Sequence, residues 1–158
     1  MKPIVAIISL IFSQAALAGV TSLSAADEAA AFKAAGFKQH GKHWKSCKDS
    51  GASYVPGNIE KVQDLNGDGL PEVVISEGGT GCYGDTGIGY ALVSKQADGG
   101  WKVVTHGIGI LTVLPTKGKD GWPDIEIGGP GFCFPIERWN GSAYKQASLQ
   151  YDGKPCKR

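Results

Sequence analysis

Nowhere in the 158-residue chain does an apolar run approach the ~20 residues that carry a helix across a bilayer, so no membrane-spanning helix is expected. An excess of charge is missing as well. Sixteen Lys and Arg stand against fifteen Asp and Glu, which argues against a whole-domain attraction to nucleic acid or to an anionic membrane. The common catalytic signatures are absent: there is no Gly-x-Ser-x-Gly elbow and no His-Glu-x-x-His zinc helix. Residues Gly78–Gly89 are rich in glycine but lack the Gly-Lys-Ser/Thr ending of a phosphate loop. His40, His43 and His106 stand in no motif, and no two cysteines have the close spacing of a structural zinc site.

The N-terminal residues have the grammar of a cleaved export signal over residues 1–18. Lys2 supplies the positive region, Ile4 to Phe12 the apolar segment, and Ala16-Leu17-Ala18 the small-x-small cleavage site. Leu17-Ala18-Gly19 opens like a lipoprotein box, but Val20 stands where the lipid-bearing cysteine belongs. The expected product is therefore a periplasmic or secreted single domain, residues 19–158, with no net charge once Lys2 is removed. All four cysteines (Cys47, Cys82, Cys133, Cys156) fall within it, and an even count in an exported chain predicts two disulfides.

Residues 24–35 read as one helix. Ser24 caps it, Asp27 stands three residues on, an alanine-rich stretch follows, and Gly36 occupies the position that favours a left-handed backbone. Beyond Gly36 the pattern becomes that of an antiparallel β protein. Strands are predicted over 43–47, 59–65, 72–77, 89–95, 101–106, 110–115, 124–127, 133–139 and 144–149. Asp98-Gly99-Gly100 and Asn140-Gly141 mark hairpin turns.

The chain also aligns with itself. Gly67-Asp68-Gly69-Leu70-Pro71-Glu72-Val73 matches Lys119-Asp120-Gly121-Trp122-Pro123-Asp124-Ile125. Each is followed by a strand, a Gly-Gly pair, a cysteine and a hairpin closing on an aromatic-Lys pair, Trp101-Lys102 or Tyr144-Lys145. The first unit spans about residues 59–106 and the degenerate second about 110–149. Two such units packed side by side would bring Cys82 to Cys133 and leave Cys47 for Cys156.

The sharpest motif is Asp64-Leu65-Asn66-Gly67-Asp68-Gly69-Leu70-Pro71-Glu72. Calcium takes six to eight hard oxygen ligands. Oxygen-bearing side chains at alternate positions can curl around one ion, with a glycine permitting the turn. An EF-hand is excluded, because Ile75 stands where its bidentate glutamate belongs. The run DLNGDGLPEVVIS resembles FG-GAP/VCBS-type repeats, in which a D-x-[DN]-x-D-G-x-x-[DE] calcium loop joins strands of a propeller blade. The resemblance extends over about residues 59–147, specific in the loop and loose elsewhere. It implies one structural calcium ion held by the side chains of Asp64, Asn66, Asp68 and Glu72 and the backbone of Leu70. The second loop has Thr116 and Gly118 where the first has Asp64 and Asn66, and is expected to hold no ion. Two units cannot close a propeller of four to eight blades. The expected fold is thus mainly β, antiparallel, built from two units of about four strands with one N-terminal helix.

Three further features carry less chemistry. Between Lys33 and Lys48 lie five lysines, two histidines and no acid, a run that usually marks a solvated edge strand. Asp124 and Glu126 alternate along one strand and so share a face, as a carboxylate pair would. Phe132 and Phe134 flank Cys133, either as a recognition surface or as cover for a disulfide. Together the sequence predicts an exported, calcium-stabilised, disulfide-stapled interaction module with a protein or cell-envelope partner and no expected catalysis. The alternatives are an inhibitor or immunity-type protein of an exported enzyme, and an uncharacterised hydrolase.

Overall fold

The computed structural model describes residues 22–48 and 51–157, so the expected leader lies outside the described residues. The first element, α1 (Ala25–Ala34), starts and stops where the sequence places its signals. Ser24 Oγ accepts the Asp27 amide at 3.1 Å, and the Ser24 hydroxyl donates back to the Asp27 carboxylate. At the other end Gly36 adopts φ +87°, the Phe37 amide reaches the Phe32 carbonyl and the Gly36 amide the Lys33 carbonyl. That is the doubly bonded Schellman closure, and the accompanying apolar contact is Phe32 against Phe37.

A six-stranded sheet follows in chain order: β1 (Lys38–His40), β2 (His43–Lys45), β3 (Val55–Gln63), β4 (Glu72–Gly78), β5 (Ile88–Lys95) and β6 (Trp101–Ile108), with a one-turn helix α2 (Thr80–Tyr83) after β4. Gly109 alone links it to a five-stranded sheet of β7 (Ile110–Lys117), β8 (Pro123–Gly128), β9 (Phe134–Trp139), β10 (Tyr144–Tyr151) and β11 (Lys154–Pro155). Every neighbouring pair is antiparallel. The fold is mainly β, and neither sheet closes on itself. The two expected units are β3–β6 and β7–β10, four strands each.

Period-two alternation explains how the layers stack. Along β4, Val73 and Ile75 point to a core shared with Phe32, Phe37 and Trp44, so α1 and β2 cover that face. Val74, between them, joins Leu92, Trp122, Ile125 and Tyr144 in a second core between the two sheets. Because β4 and β5 are buried on both faces, they read as nearly continuous apolar runs, Val73-Val74-Ile75 and Tyr90-Ala91-Leu92-Val93. The two units face the same way. Val73 looks toward α1, and its repeat equivalent Ile125 looks toward the first unit.

The disulfides correct the expected pairing. Cys47 bonds Cys82 and Cys133 bonds Cys156, with Cα separations of 6.1 and 5.7 Å. The units lie face to face, not edge to edge. Stacked sheets sit about 10 Å apart, beyond the ~7 Å Cα limit for a disulfide. Each loop cysteine is therefore met by one from the segment flanking its own unit. The exported-protein expectation of two bridges holds; the partners differ.

Candidate calcium loop

The Asp64–Glu72 loop joins β3 to β4 at one end of the stack, and its side chains wrap their own backbone. Asp64 accepts the amides of Gly67 and Gly69 at 2.7 and 3.0 Å. Asn66 Oδ1 accepts the Asp68 amide and Asp68 Oδ1 the Leu70 amide, both at 2.8 Å, while the Asn66 side-chain amide donates to Asp68. Glycines at positions 67 and 69 supply the two left-handed turns, each at φ +86°. This self-wrapping aligns oxygens at the alternate positions that the sequence pattern requires.

Glu72 behaves differently. It is fully buried, with Oε2 accepting the Leu65 amide at 2.7 Å and Oε1 the Ser94 hydroxyl at 2.8 Å. Burial pushes its carboxyl above the usual range against these hydrogen bonds, and the negative Asp68 nearby adds to the rise. Among the described residues no three His, Cys, Asp or Glu side chains form a metal-binding group. An ion here would draw its shell from Asp64, Asp68, the Asn66 amide oxygen and the Leu70 carbonyl, all hard oxygen donors that suit calcium. Glu72 would take part as the inner wall, its two oxygens already each holding one donor.

The second unit shows what becomes of the same loop without those residues. Asp124, the equivalent of Glu72, is 1% exposed and accepts Arg138 Nε and Nη at 2.9 and 2.7 Å and Thr116 Oγ1 at 2.6 Å. The Arg138 guanidinium holds the Asp124 carboxyl below its ordinary value, and Asp124 in turn raises Arg138. A guanidinium thus stands beside this carboxylate, where the first unit has the neutral Ser94 beside Glu72. Glu126 accepts from Gln150 at 2.7 Å, so each member of the expected carboxylate pair has its own partner.

The two loops touch. The Asn66 carbonyl lies against Gly121, which has φ +75° and no room for a Cβ on that side. Gly121→Ala should therefore destabilise by about 1–3 kcal/mol. Gly67→Ala, with φ +86° and open space around it, should lose only the backbone part, ~1 kcal/mol. Urea unfolding of both variants separates the contact from the backbone strain.

One site went unseen in the sequence. Glu77, at the far end of β4, is 1% exposed and forms no salt bridge among the described residues. It accepts the Ser46 amide at 2.9 Å, the Cys47 amide at 3.1 Å, the Tyr54 and Tyr83 hydroxyls at 2.5 Å each, and the Ser46 hydroxyl. Burial pushes its carboxyl up, but the hydroxyls of Ser46, Tyr54 and Tyr83 and the Ser46 amide outweigh it, and the net direction is down. Burial and then Glu77 push Tyr83 up to about 12. Ser46, Cys47 and Tyr54 lie 23 to 31 residues upstream and Tyr83 lies 6 residues downstream, and no local spacing announces the set.

The fold and loops define a class: two stacked four-stranded β units bridged by short loops, each unit fastened by a disulfide. Comparison with protein-family models, curated proteins and solved structures finds no match.

Proposed function

We propose that the chain is an exported interaction module of the FG-GAP/VCBS type whose Asp64–Glu72 loop is ordered by one structural calcium ion. The observation that supports this reading most is the alternation of Asp64, Asn66 and Asp68, each turned onto the backbone of its own loop. Calcium would bind Asp64, Asn66 and Asp68 by side chain and Leu70 by its carbonyl. Ordering that loop would also fix the Gly121 turn pressed against it. A periplasmic or secreted setting fits the leader-like N-terminal sequence and the two disulfides.

The test is thermal unfolding of the oxidised protein with excess calcium and with chelator. A ligand of the folded state adds about 2.7 kcal/mol at a hundredfold excess over its dissociation constant, which raises the melting temperature by several degrees. Asp68→Ala should remove the calcium-specific rise. No rise at millimolar calcium in the parent protein would sink the metal assignment.

A second reading, an inhibitor or immunity-type protein, is favoured by one specific feature. Val55, Ile108, Ile110, Phe132 and Tyr151 are each more than half exposed. Strand register puts four of them at the end of the stack away from the calcium loop, and Phe132 joins them through its ring contact with Tyr151. Exposed apolar and aromatic residues gathered at one end suit a protein partner.

A further inference from the structure

Among the described residues, the outer face of the second unit is a broad sheet face that neither α1 nor the other sheet covers, and one end of it is strongly basic. Along β9 and β10, Arg138 and Lys145 stand directly opposite one another. Like charges so placed repel, and no acid separates them. With Lys117, Lys119, Asn140 and Gln146 they line a shallow groove of about 490 Å³ that has no carboxylate in its lining. Gly118 forms part of its floor, so close to the Arg138 stem and the Trp139 backbone that a Cβ would not fit.

Arg138 is the fixed point of this groove. Its Nε and one Nη are held from behind by Asp124, which is itself buried. The guanidinium is therefore immobilised with its remaining N–H donors outward, the arrangement that pairs well with a planar or tetrahedral oxyanion. Lys117, Lys119 and Lys145 add mobile point charges around it. Trp139 also lines the groove, with its ring packed against Trp122 and Tyr144 in the inter-sheet core, so the feature that selects a partner is the charge of the four basic side chains, which favours an anion.

We propose that this groove binds a polyanionic glycan, a sugar chain bearing sulfate, phosphate or carboxylate groups, with Arg138 seating one anionic group and the three lysines its neighbours. The hollow between β1 and β2 is a poorer candidate. Its half-buried cation, Lys45, is held over the Tyr54 ring at 4.5 Å, and the buried Glu77 carboxylate lies behind its Ser46 wall. The proposal deepens the reading of the chain as an interaction module. It uses no residue of the Asp64–Glu72 loop, so it survives a failed calcium test.

The experiment is fluorescence anisotropy with a labelled short dextran sulfate, run in chelator and again in calcium, with uncharged dextran, poly-glutamate and inorganic sulfate as competitors. The expected result is saturable binding in both conditions that weakens with added salt, with dextran failing to compete and poly-glutamate and sulfate at least tenfold poorer than unlabelled dextran sulfate. Combining Lys117→Glu with Lys145→Glu should weaken binding at least tenfold while the melting curve stays two-state. Lys38→Glu with Lys48→Glu, in the other basic hollow, should change it less than twofold. Competition by poly-glutamate or by sulfate as strong as by dextran sulfate overturns the glycan assignment. Undiminished binding in the Lys117/Lys145 variant, with loss in the Lys38/Lys48 variant, overturns the location.

Discussion

Glu77→Ala should cost about 3–5 kcal/mol of unfolding free energy, as much as truncating a large core side chain. The figure follows from what the carboxylate leaves behind. Two backbone amides, Ser46 and Cys47, and the hydroxyls of Ser46, Tyr54 and Tyr83 converge on it, and an orphaned buried donor costs about 1–3 kcal/mol. The hydroxyls can turn toward water; the amides cannot. Glu77→Gln should be nearly as harmful, because its NH₂ would present a donor to donors. The pH dependence has a definite sign. The folded carboxyl lies below its ordinary value of 4.5, so its stabilisation is complete above that value and is lost as pH falls through the lower folded value. Melting temperatures of the parent should therefore drop more steeply below about pH 4.5 than those of Glu77→Gln. Parallel acid limbs would show that Glu77 is not ionised in the folded protein.

Removing the Cys47–Cys82 bridge by a double serine substitution should cost about 3–4 kcal/mol, the loop-closure value for a separation of 35 residues. The bridge and Glu77 fasten the same strip of chain, residues 46–47, to the same end of β4 and its following loop. Their losses should therefore not add. A double-mutant cycle in urea is expected to give a coupling of about 0.5–3 kcal/mol, whereas pairing either change with loss of Cys133–Cys156 should be close to additive. Non-reducing peptide mapping checks the premise directly: a fragment linking Cys82 to Cys133 would contradict it.

Much of the architecture is legible in the residues. The Ser24 cap, Gly36 and the Asn140-Gly141 turn each specify local geometry by themselves. The double-sided burial of β4 and β5 is written in their unbroken apolar runs. What the sequence hides is long-range. Lys38-Gln39-His40 has no apolar alternation, and it forms a strand only because Trp44 on its partner is drawn into the core beside Phe32. The disulfide partners depend on whether the repeats meet by edge or by face, which internal similarity does not encode. Glu77 looks like any strand-terminal acid until distant hydroxyls close on it. The Arg138–Asp124 pair is hidden by one residue. Strand pairing sets Arg138 opposite Lys145 and Ser94 opposite Lys102, a cation in place of a hydroxyl beside an equivalent acid. Counting back from the closing pairs Trp101-Lys102 and Tyr144-Lys145 instead matches Arg138 to Lys95.

Because Val73 and Ile125 look in the same direction along the stack, the two units are related by something close to translation, and a third could in principle be laid on the second as the second lies on the first. Such head-to-tail geometry has no natural end; unlike a ring, it does not count its own members. Copy number must then be set by terminators. At one pole α1 seals the apolar surface that a preceding unit would have filled. At the other, the row of Lys117, Arg138 and Lys145, of which Arg138 has the counter-ion Asp124, makes any incoming apolar sheet bury charge. Neutralising that row while keeping the fold would be expected to open one pole only, so that two copies pair face to face there while α1, still sealing the other pole, stops any longer stack.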